Sequence, residues 1–386
     1  MRRALRPAPL LLVLAIVFVN GPGARAASSW PFWDRYAGRF ISAEGRVMDP
    51  DRNSMTTSEG QSYAMFFALV ADDAASFERL RTWTENNLAR GDLGKNLPSW
   101  SWGKGGDGSW RVLDENSAAD SDLWIAYDLL QAGTLWQKPQ YASTGRALLA
   151  KIAKEEVAQL PHLGPVLMPG RVELFAKGDR WILNPSYLPL PVLCAAGHAS
   201  PEGPWKQMAA ALPDWLRRAS PSGYAMDWVV YEDDEKSSFS PANDPGNPSR
   251  TPRGSYDAIR VYLWAGMTAK STPGAATILD TFAPMARLMR SNPVPPEAVG
   301  PDGSVLSNAA PPGFSAALVP FLVSSGEKVP AAAQLHLVTA EFDKETGLLG
   351  VPPRYYDQNL ALFALGWQEQ RFRFNPDGTL RVRWKN

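Results

Sequence analysis

Apolar positions recur with helical spacing from one end of the chain to the other, and long alternating strands do not. Candidate helices begin near Trp30, Ser58, Ala74, Ser117, Tyr141, Ser186, Pro204, Ser255, Pro273, Phe314, Pro330 and Tyr356. Twelve helices joined by connections of varied length suggest six helical hairpins. No composition break or low-complexity linker divides them, so the pattern predicts one domain over residues 27–386. Two segments alternate instead: "RVELFAKGDRWIL" across Lys-Gly-Asp, and "RFRFNPDGTLRVRW" across Asn-Pro-Asp-Gly. Both predict short β-hairpins, the second at the C-terminus. The interhelical loops are rich in Gly, Pro, Ser and Trp, with "LPSWSWGKGGDGSW" and "SFSPANDPGNPSRTPRGS" the longest. Loops of that length in a compact domain are often functional.

The first residues depart from this pattern. Arg2, Arg3 and Arg6 precede an apolar run, Leu10 to Val19, and Ala24-Arg25-Ala26 follows as a small-x-small cleavage site. This predicts a secretory signal peptide over residues 1–26, too short for a spanning helix. The mature chain is therefore expected in the periplasm or outside the cell, without a membrane anchor. Formal charge is zero over the full chain, and losing the four leader arginines leaves 35 bases against 39 acids. A mildly acidic chain without a basic cluster argues against nucleic-acid binding. Cys194, the single cysteine, lies in the apolar "LPVLCAAG" and reads as a core residue, so no internal disulfide is available. The 15 tryptophans are more than a core requires, and several fall in loops.

Three of the predicted helices carry acids at their N-terminal ends. In "TTSEGQSYAMFFAL", Ser58 and Gln61 have the form of a capping box, Glu59 sits in the first turn, and Gly60 leaves room beside it. In "ENSAADSDLWIAYDLLQAGTLW", Ser117 is a candidate cap, with Asp120 and Asp122 in the first turn. Residues two apart point to different sides, so one of these aspartates faces a site while the other caps or braces. In "PRGSYDAIRVYLWAGM", Asp257 opens the helix and Arg260 lies on the same face, close enough to favour its ionised form. Each acid taken alone is explained by the positive end of a helix dipole. If alternate helices run parallel around a barrel, however, Glu59, Asp120 and Asp257 meet at one rim. Paired carboxyls in a cleft lined by Trp100, Trp102 and Trp110 suit glycoside hydrolysis. One carboxyl protonates the departing oxygen, the other activates water or attacks carbon, and indoles stack on the sugar. Glu59 as the acid needs burial or a second carboxylate to outweigh the helix dipole.

The segments "TTSEGQSYAM", "AADSDLWIAYDLLQAGTLW", "NPSYL" and "GSYDAIRVYLWAGM" resemble glycoside hydrolase family 8, and the likeness runs from about Trp30 to the C-terminal hairpin. Around Asp120 the chain departs from the family signature with Ala119 and Ser121. The resemblance implies an all-α fold, an (α/α)6 barrel, and an inverting endo-β-1,4-glucanase. It implies Glu59 as general acid, Asp257 as general base, and Asp120 as the residue that binds and distorts the sugar before the scissile bond. Tyr187 and Arg260 match positions near the active site, and Asp122, Trp100 and Trp102 join them as candidate substrate contacts. The implied substrate is a cellulose chain, and the implied role is trimming nascent cellulose beside the bacterial cellulose synthase export complex. The same chemistry on chitosan, xylan or mixed-linkage β-glucan is an alternative, as is a non-catalytic glucan-binding or assembly factor. A polysaccharide lyase fits less well, with few histidines and no basic groove.

No cofactor or metal is expected. His162, His198 and His336 are isolated in sequence. "DPDRNSMTTSEG" begins like a calcium loop but has Ser54 where Gly belongs and Gly60 where Glu belongs. The acidic run Glu232 to Glu235 reads as a solvated loop, and "YYDQNLALFALGW" as a core helix whose Asp357 is a weaker candidate for the cavity.

Overall fold

The computed structural model describes residues 30–233 and 237–385, so the expected signal peptide and the second half of the acidic run, Asp234 and Glu235, lie outside the described residues. Among these residues the helices are α1 (Pro31–Phe40), α2 (Ser58–Val70), α3 (Ala74–Asn87), α4 (Ala119–Leu135), α5 (Pro139–Glu155) and α6 (Val172–Phe175), a single turn. They continue with α7 (Leu190–Ala199), α8 (Trp205–Ala219), α9 (Ala258–Met267), α10 (Ala275–Thr281) and α11 (Ala283–Ser291). The last three are α12 (Pro312–Ser324), α13 (Lys328–Ala340) and α14 (Tyr355–Gln368).

Their packing closes on itself. Helix α2 packs on α4, α4 on α7, α7 on α9, α9 on α12, α12 on α14, and α14 back on α2. Against this ring α3 covers α2, α5 covers α4, α8 covers α7, α10 covers α9, α13 covers α12, and α1 covers α14. This is the expected (α/α)6 barrel. The two rings differ in sequence as they do in position. Ring helices are buried nearly all round, as in α4 and α12. The outer α8 buries one stripe, Trp205, Met208, Ala209, Leu212, Trp215, Leu216 and Ala219, at helical spacing. Gly266 allows α9 and α12 to touch: a Cβ there would lie 2.2 Å from the Phe321 amide nitrogen. None of the described helices is long and apolar enough to cross a membrane.

Aromatic rings fill the barrel. Phe67 and Phe363 lie 4.7 Å apart, Tyr63 and Phe363 5.0 Å, and Trp124 and Trp264 5.4 Å, joining α2, α4, α9 and α14. Tilted and edge-to-face contacts of this kind stabilise beyond the area they bury. The C-terminal hairpin, Phe372–Phe374 with Leu380–Val382, forms as predicted and closes one end. Tyr127 donates to Gly378 O, and Trp384 Nε1 to Leu69 O near the end of α2.

Four expectations change. "RVELFAKGDRWIL" is not a simple hairpin: Val172–Phe175 coils into α6, and only Ala176–Lys177 pairs with Arg180 and Trp181. Its second arm, Arg180–Leu183, also pairs with Val229–Glu232, which pairs with Ser238–Pro241, giving a four-stranded antiparallel sheet. The helix expected near Ser186 starts at Leu190 after a 3₁₀ turn, because Pro189 lacks an amide hydrogen and disfavours helix at Leu188. The helix expected near Pro273 breaks at Phe282, where Pro284 follows without an N–H to continue the ladder. Cys194 is only half-buried, and burial still raises its thiol to about 11.

Candidate active site

The open rim is built from the first turns of the ring helices. At α2 the extended residues Thr56–Thr57 pair with Ser101 and Trp102, which makes Thr57 the cap. Its Oγ1 accepts the Gly60 amide at 3.1 Å, so the expected Ser58–Gln61 capping box is absent. Gln61 instead accepts the Val47 amide at 2.6 Å and donates to Gly45 O and Thr84 Oγ1. Gly60 does not keep a groove open; a Cβ there would lie 2.1 Å from the Tyr355 hydroxyl. Its bareness accommodates the protein's own phenol, while Glu59, one residue before, turns to the rim.

Arg260 gathers what the sequence left apart. Its Nη1 donates to Glu59 Oε2 at 2.8 Å, and its Nη2 to Asp257 Oδ1 at 3.0 Å. Asp120 Oδ2 lies 3.7 Å from Nη2. Ser186 Oγ accepts a further bond from Nη2 at 3.0 Å, and the guanidinium carbon is 5.9 Å from the Tyr187 ring. The Tyr356 hydroxyl is 3.4 Å from Nη1 and donates to Tyr256 O at 2.6 Å. Helices α2, α4, α9 and α14 and the turn before α7 therefore meet at one buried cation. Glu59, Asp120, Asp257, Arg260 and Tyr187 are brought together, and Ser186 and Tyr356, which the sequence marks only as helix starts, join them.

Three carboxyls around one cation cannot all ionise freely. Burial raises the Glu59 carboxyl, Arg260 pulls it down, and Asp257 pushes it up again. Burial and the charge of Glu59 lift Asp120 to about 7, against the pull of Arg260. For Asp257 the expected dominance of Arg260 fails, since burial is the larger influence and its carboxyl also rises. Near neutrality the cluster thus retains a proton that exposed acids would have lost.

Asp122 is not in the cleft. It has no exposed surface and faces Glu156, whose Oε1 accepts the Ser117 hydroxyl at 2.5 Å. Ser117 consequently does not cap α4, whose cap position is Ala118 with no side-chain bond. A two-residue offset turns Asp122 to the opposite side from Asp120, so its place as a substrate contact gives way to one beneath the site. Asp357 also turns inward, its Oδ1 accepting the Gly313 amide at 3.1 Å at the start of α12.

Aromatic faces lie on two banks. Trp102, half-buried on the strand paired with Thr56–Thr57, stacks on Trp110 at 5.2 Å with rings 20° apart. The Arg46 guanidinium lies 5.0 Å and 4.7 Å from those two rings, and Trp110 is 46% exposed. Trp100, also half-buried, accepts the Ser58 amide on its carbonyl at 3.0 Å, beside Glu59. On the other bank Tyr187 and Trp228 are 6.2 Å apart, and Phe175 lies parallel to Trp228 at 6.5 Å. Trp228 and its neighbour Asp227 were missed. Asp227 Oδ1 accepts the amides of Ser255, Asp257 and Ala258 at 2.7, 3.1 and 2.9 Å. The available signal was a lone acid inside the apolar "YAMDWVVY". Among the described residues no group of three or more His, Cys, Asp or Glu is placed to hold a metal ion.

Breaking a glycosidic bond demands a proton donor and a second carboxylate beside a surface on which sugars stack. The fold and rim define that class, a glycoside hydrolase. The model of the glycosyl hydrolases family 8 matches residues 9–370. The endoglucanase of Xanthomonas axonopodis pv. citri is 44% identical over 359 residues, covering 92% of this chain and 90% of that protein. The endoglucanase of Salmonella typhi is 43% identical over 374 residues, covering 96% of each. The crystal structure of an endo-1,4-D-glucanase from Vibrio fischeri is similar with a TM-score of 0.84 and 40% identity, covering 93% of this chain and all of that one. The chain belongs to glycosyl hydrolase family 8.

Proposed function

We propose that this enzyme is an endo-β-1,4-glucanase that cleaves internal bonds of a cellulose chain with inversion at the anomeric carbon. The observation that carries the reading is the junction at Arg260, where carboxyls from three separate helices share one cation at the open end of the barrel. In this reading Glu59, whose carboxyl burial and Asp257 raise against the pull of Arg260, gives its proton to the departing oxygen. Asp257, hydrogen-bonded to Arg260, takes a proton from the attacking water on the opposite sugar face. Asp120 binds and distorts the sugar between them. Trp102 and Trp110 on one bank, and Tyr187 and Trp228 on the other, offer stacking faces for glucose units on either side of the cut. The named relatives, all endoglucanases, support β-1,4-glucan as the substrate.

The leader-like N-terminus supports export to the periplasm or beyond. There the enzyme would meet cellulose as it leaves the synthase export complex, and trimming that chain is the role we assign.

The test is reducing-end release from carboxymethylcellulose by the mature protein, with Glu59→Gln and Asp257→Asn in parallel. Both variants are expected to fold normally and to lose at least about 10²-fold in kcat, the general acid–base contribution. Proton NMR of freshly cut cello-oligosaccharides is expected to show the α-anomer first. Wild type that binds cello-oligosaccharides without cutting them would overturn the hydrolase assignment in favour of a binding role.

A further inference from the structure

The first amides of any helix lack partners within it, and the cap residue's side chain ordinarily accepts one of them. In helix α9 the cap position is Asp257 itself. The amides that a cap side chain takes are already met by backbone here, Ile259 donating to Ser255 O and Arg260 to Asp257 O, both at 3.0 Å. Asp257 makes no capping bond; its backbone is helical, with φ −80° and ψ −49°, and its Oδ1 lies 3.0 Å from Arg260 Nη2.

The amides leading into the helix are met from elsewhere in the chain. Asp227 places one oxygen on the Ser255, Asp257 and Ala258 amides, the last two 30 and 31 residues away in sequence. The acceptor is itself held tightly. It is 6% exposed, its own amide donates to Arg253 O at 2.8 Å, and the Ala225 amide donates to the Tyr262 hydroxyl at 3.0 Å. The two segments press together so closely that a Cβ on Gly254 would lie 1.9 Å from Ala225 O. At α2 the cap is a separate residue, Thr57, and Glu59 follows it.

We propose that Asp227 is a positioning residue of the reaction: by holding the amides of Ser255, Asp257 and Ala258, it fixes the backbone that carries Asp257 and so where that carboxylate points. The proposal rests on the reading of Asp257 as the base. Asp227 touches neither substrate nor Arg260 in this account; it acts through the backbone that carries Asp257. An ångström of misplacement at a reacting group can cost about 10²-fold in rate.

The experiment compares Asp227→Ala, Asp227→Asn, Asp257→Asn and the Asp227→Ala/Asp257→Asn pair, with cellopentaose as substrate and folding checked by circular dichroism. Asp227→Ala is expected to lose about 10²-fold in kcat with KM within about threefold of wild type. Asp227→Asn retains an oxygen acceptor for the same amides and is expected to stay within about tenfold of wild-type kcat. The pair is expected to be no slower than Asp257→Asn alone, because both changes remove one function. Where Asp227→Ala does not fold, Asp227→Ser, with its shorter acceptor, takes its place under the same criteria. A folded Asp227→Ala with wild-type kcat, or Asp227→Asn as slow as Asp227→Ala, would overturn the positioning role. Multiplicative losses in the pair would overturn it too. Full activity of Asp257→Asn would instead overturn the assignment of the base.

Discussion

Arg260 carries a charge for which three carboxyls compete, and most of the chemistry at the rim depends on it. The guanidinium is 4% exposed yet holds Glu59 and Asp257 in direct hydrogen bonds. Removing it leaves buried acids without their counter-charge. Arg260→Ala is expected to lose about 3–5 kcal/mol of stability at pH 7, as for other broken buried pairs. The loss, read by urea unfolding, is expected to shrink at pH 5, where the acids take up protons instead. Arg260→Lys restores charge but not the two-pronged geometry, and kcat/KM should remain at least tenfold below wild type. Wild-type kcat/KM in Arg260→Lys would show that a point charge suffices. At this scale the sequence revealed the Asp257–Arg260 pair, because three residues apart on a helix is a local relation. It did not reveal the Glu59–Arg260 contact, whose partners are 201 residues apart.

Gly60 shows the same limit from the other side. Its place after Glu59 suggested room for a substrate, yet the room is occupied by the Tyr355 hydroxyl from α14. Gly60→Ala is therefore expected to destabilise by about 1–3 kcal/mol, as overpacking does, and adding Tyr355→Phe should recover part of it. Thermal unfolding of the single and double variants checks this; equal Tm values for Gly60→Ala and wild type would contradict it.

Among elements, α4 is held by an unusual foot. Ser117, Glu156 and Asp122 meet beneath its first turn, and burial lifts the Glu156 carboxyl to about 8 and Asp122 well above its usual range. Asp128, in the same helix, is likewise raised by burial, and Asp227 rises to about 7. An acid whose folded pKa lies above its unfolded value binds more protons when folded. Its contribution is full below the unfolded value near 4 and is lost as pH rises through the folded one, at about 1.4 kcal/mol per pH unit per proton. Calorimetric Tm is accordingly expected to fall between pH 5 and pH 8.5, with a shallower slope in Glu156→Gln; a rising Tm would contradict this. The helices themselves were legible, since their apolar spacing is a short-range signal. Their caps were less so. Ser58 and Ser117 looked like caps from residue type, but capping is decided by which residue is extended, and strand pairing set that at Thr57.

Over the whole molecule, closure of the ring depends on contacts between its first and last helices, α2 and α14, and on the C-terminal hairpin that stops one end. Trp384 joins that hairpin to Leu69 O and stacks near Trp136, their centroids 6.4 Å apart. Trp384→Ala is expected to cost about 3–5 kcal/mol in urea unfolding while leaving KM unchanged, since it sits away from the open rim. A raised KM with unchanged stability would place the hairpin in substrate binding instead.

What the sequence determined by itself follows from relations that are short or repetitive. Helical spacing specifies the helices, the alternation about Asn-Pro-Asp-Gly specifies the terminal hairpin, and the acids at helix starts mark Glu59, Asp120 and Asp257 as candidates. The tertiary structure alone decided which of two aspartates on α4 faces the rim and that burial raises the Asp257 carboxyl. It also decided that Asp227 and Tyr356 belong beside these acids. Each of those depends on burial or on partners tens to hundreds of residues distant, and neither quantity exists until the ring has closed.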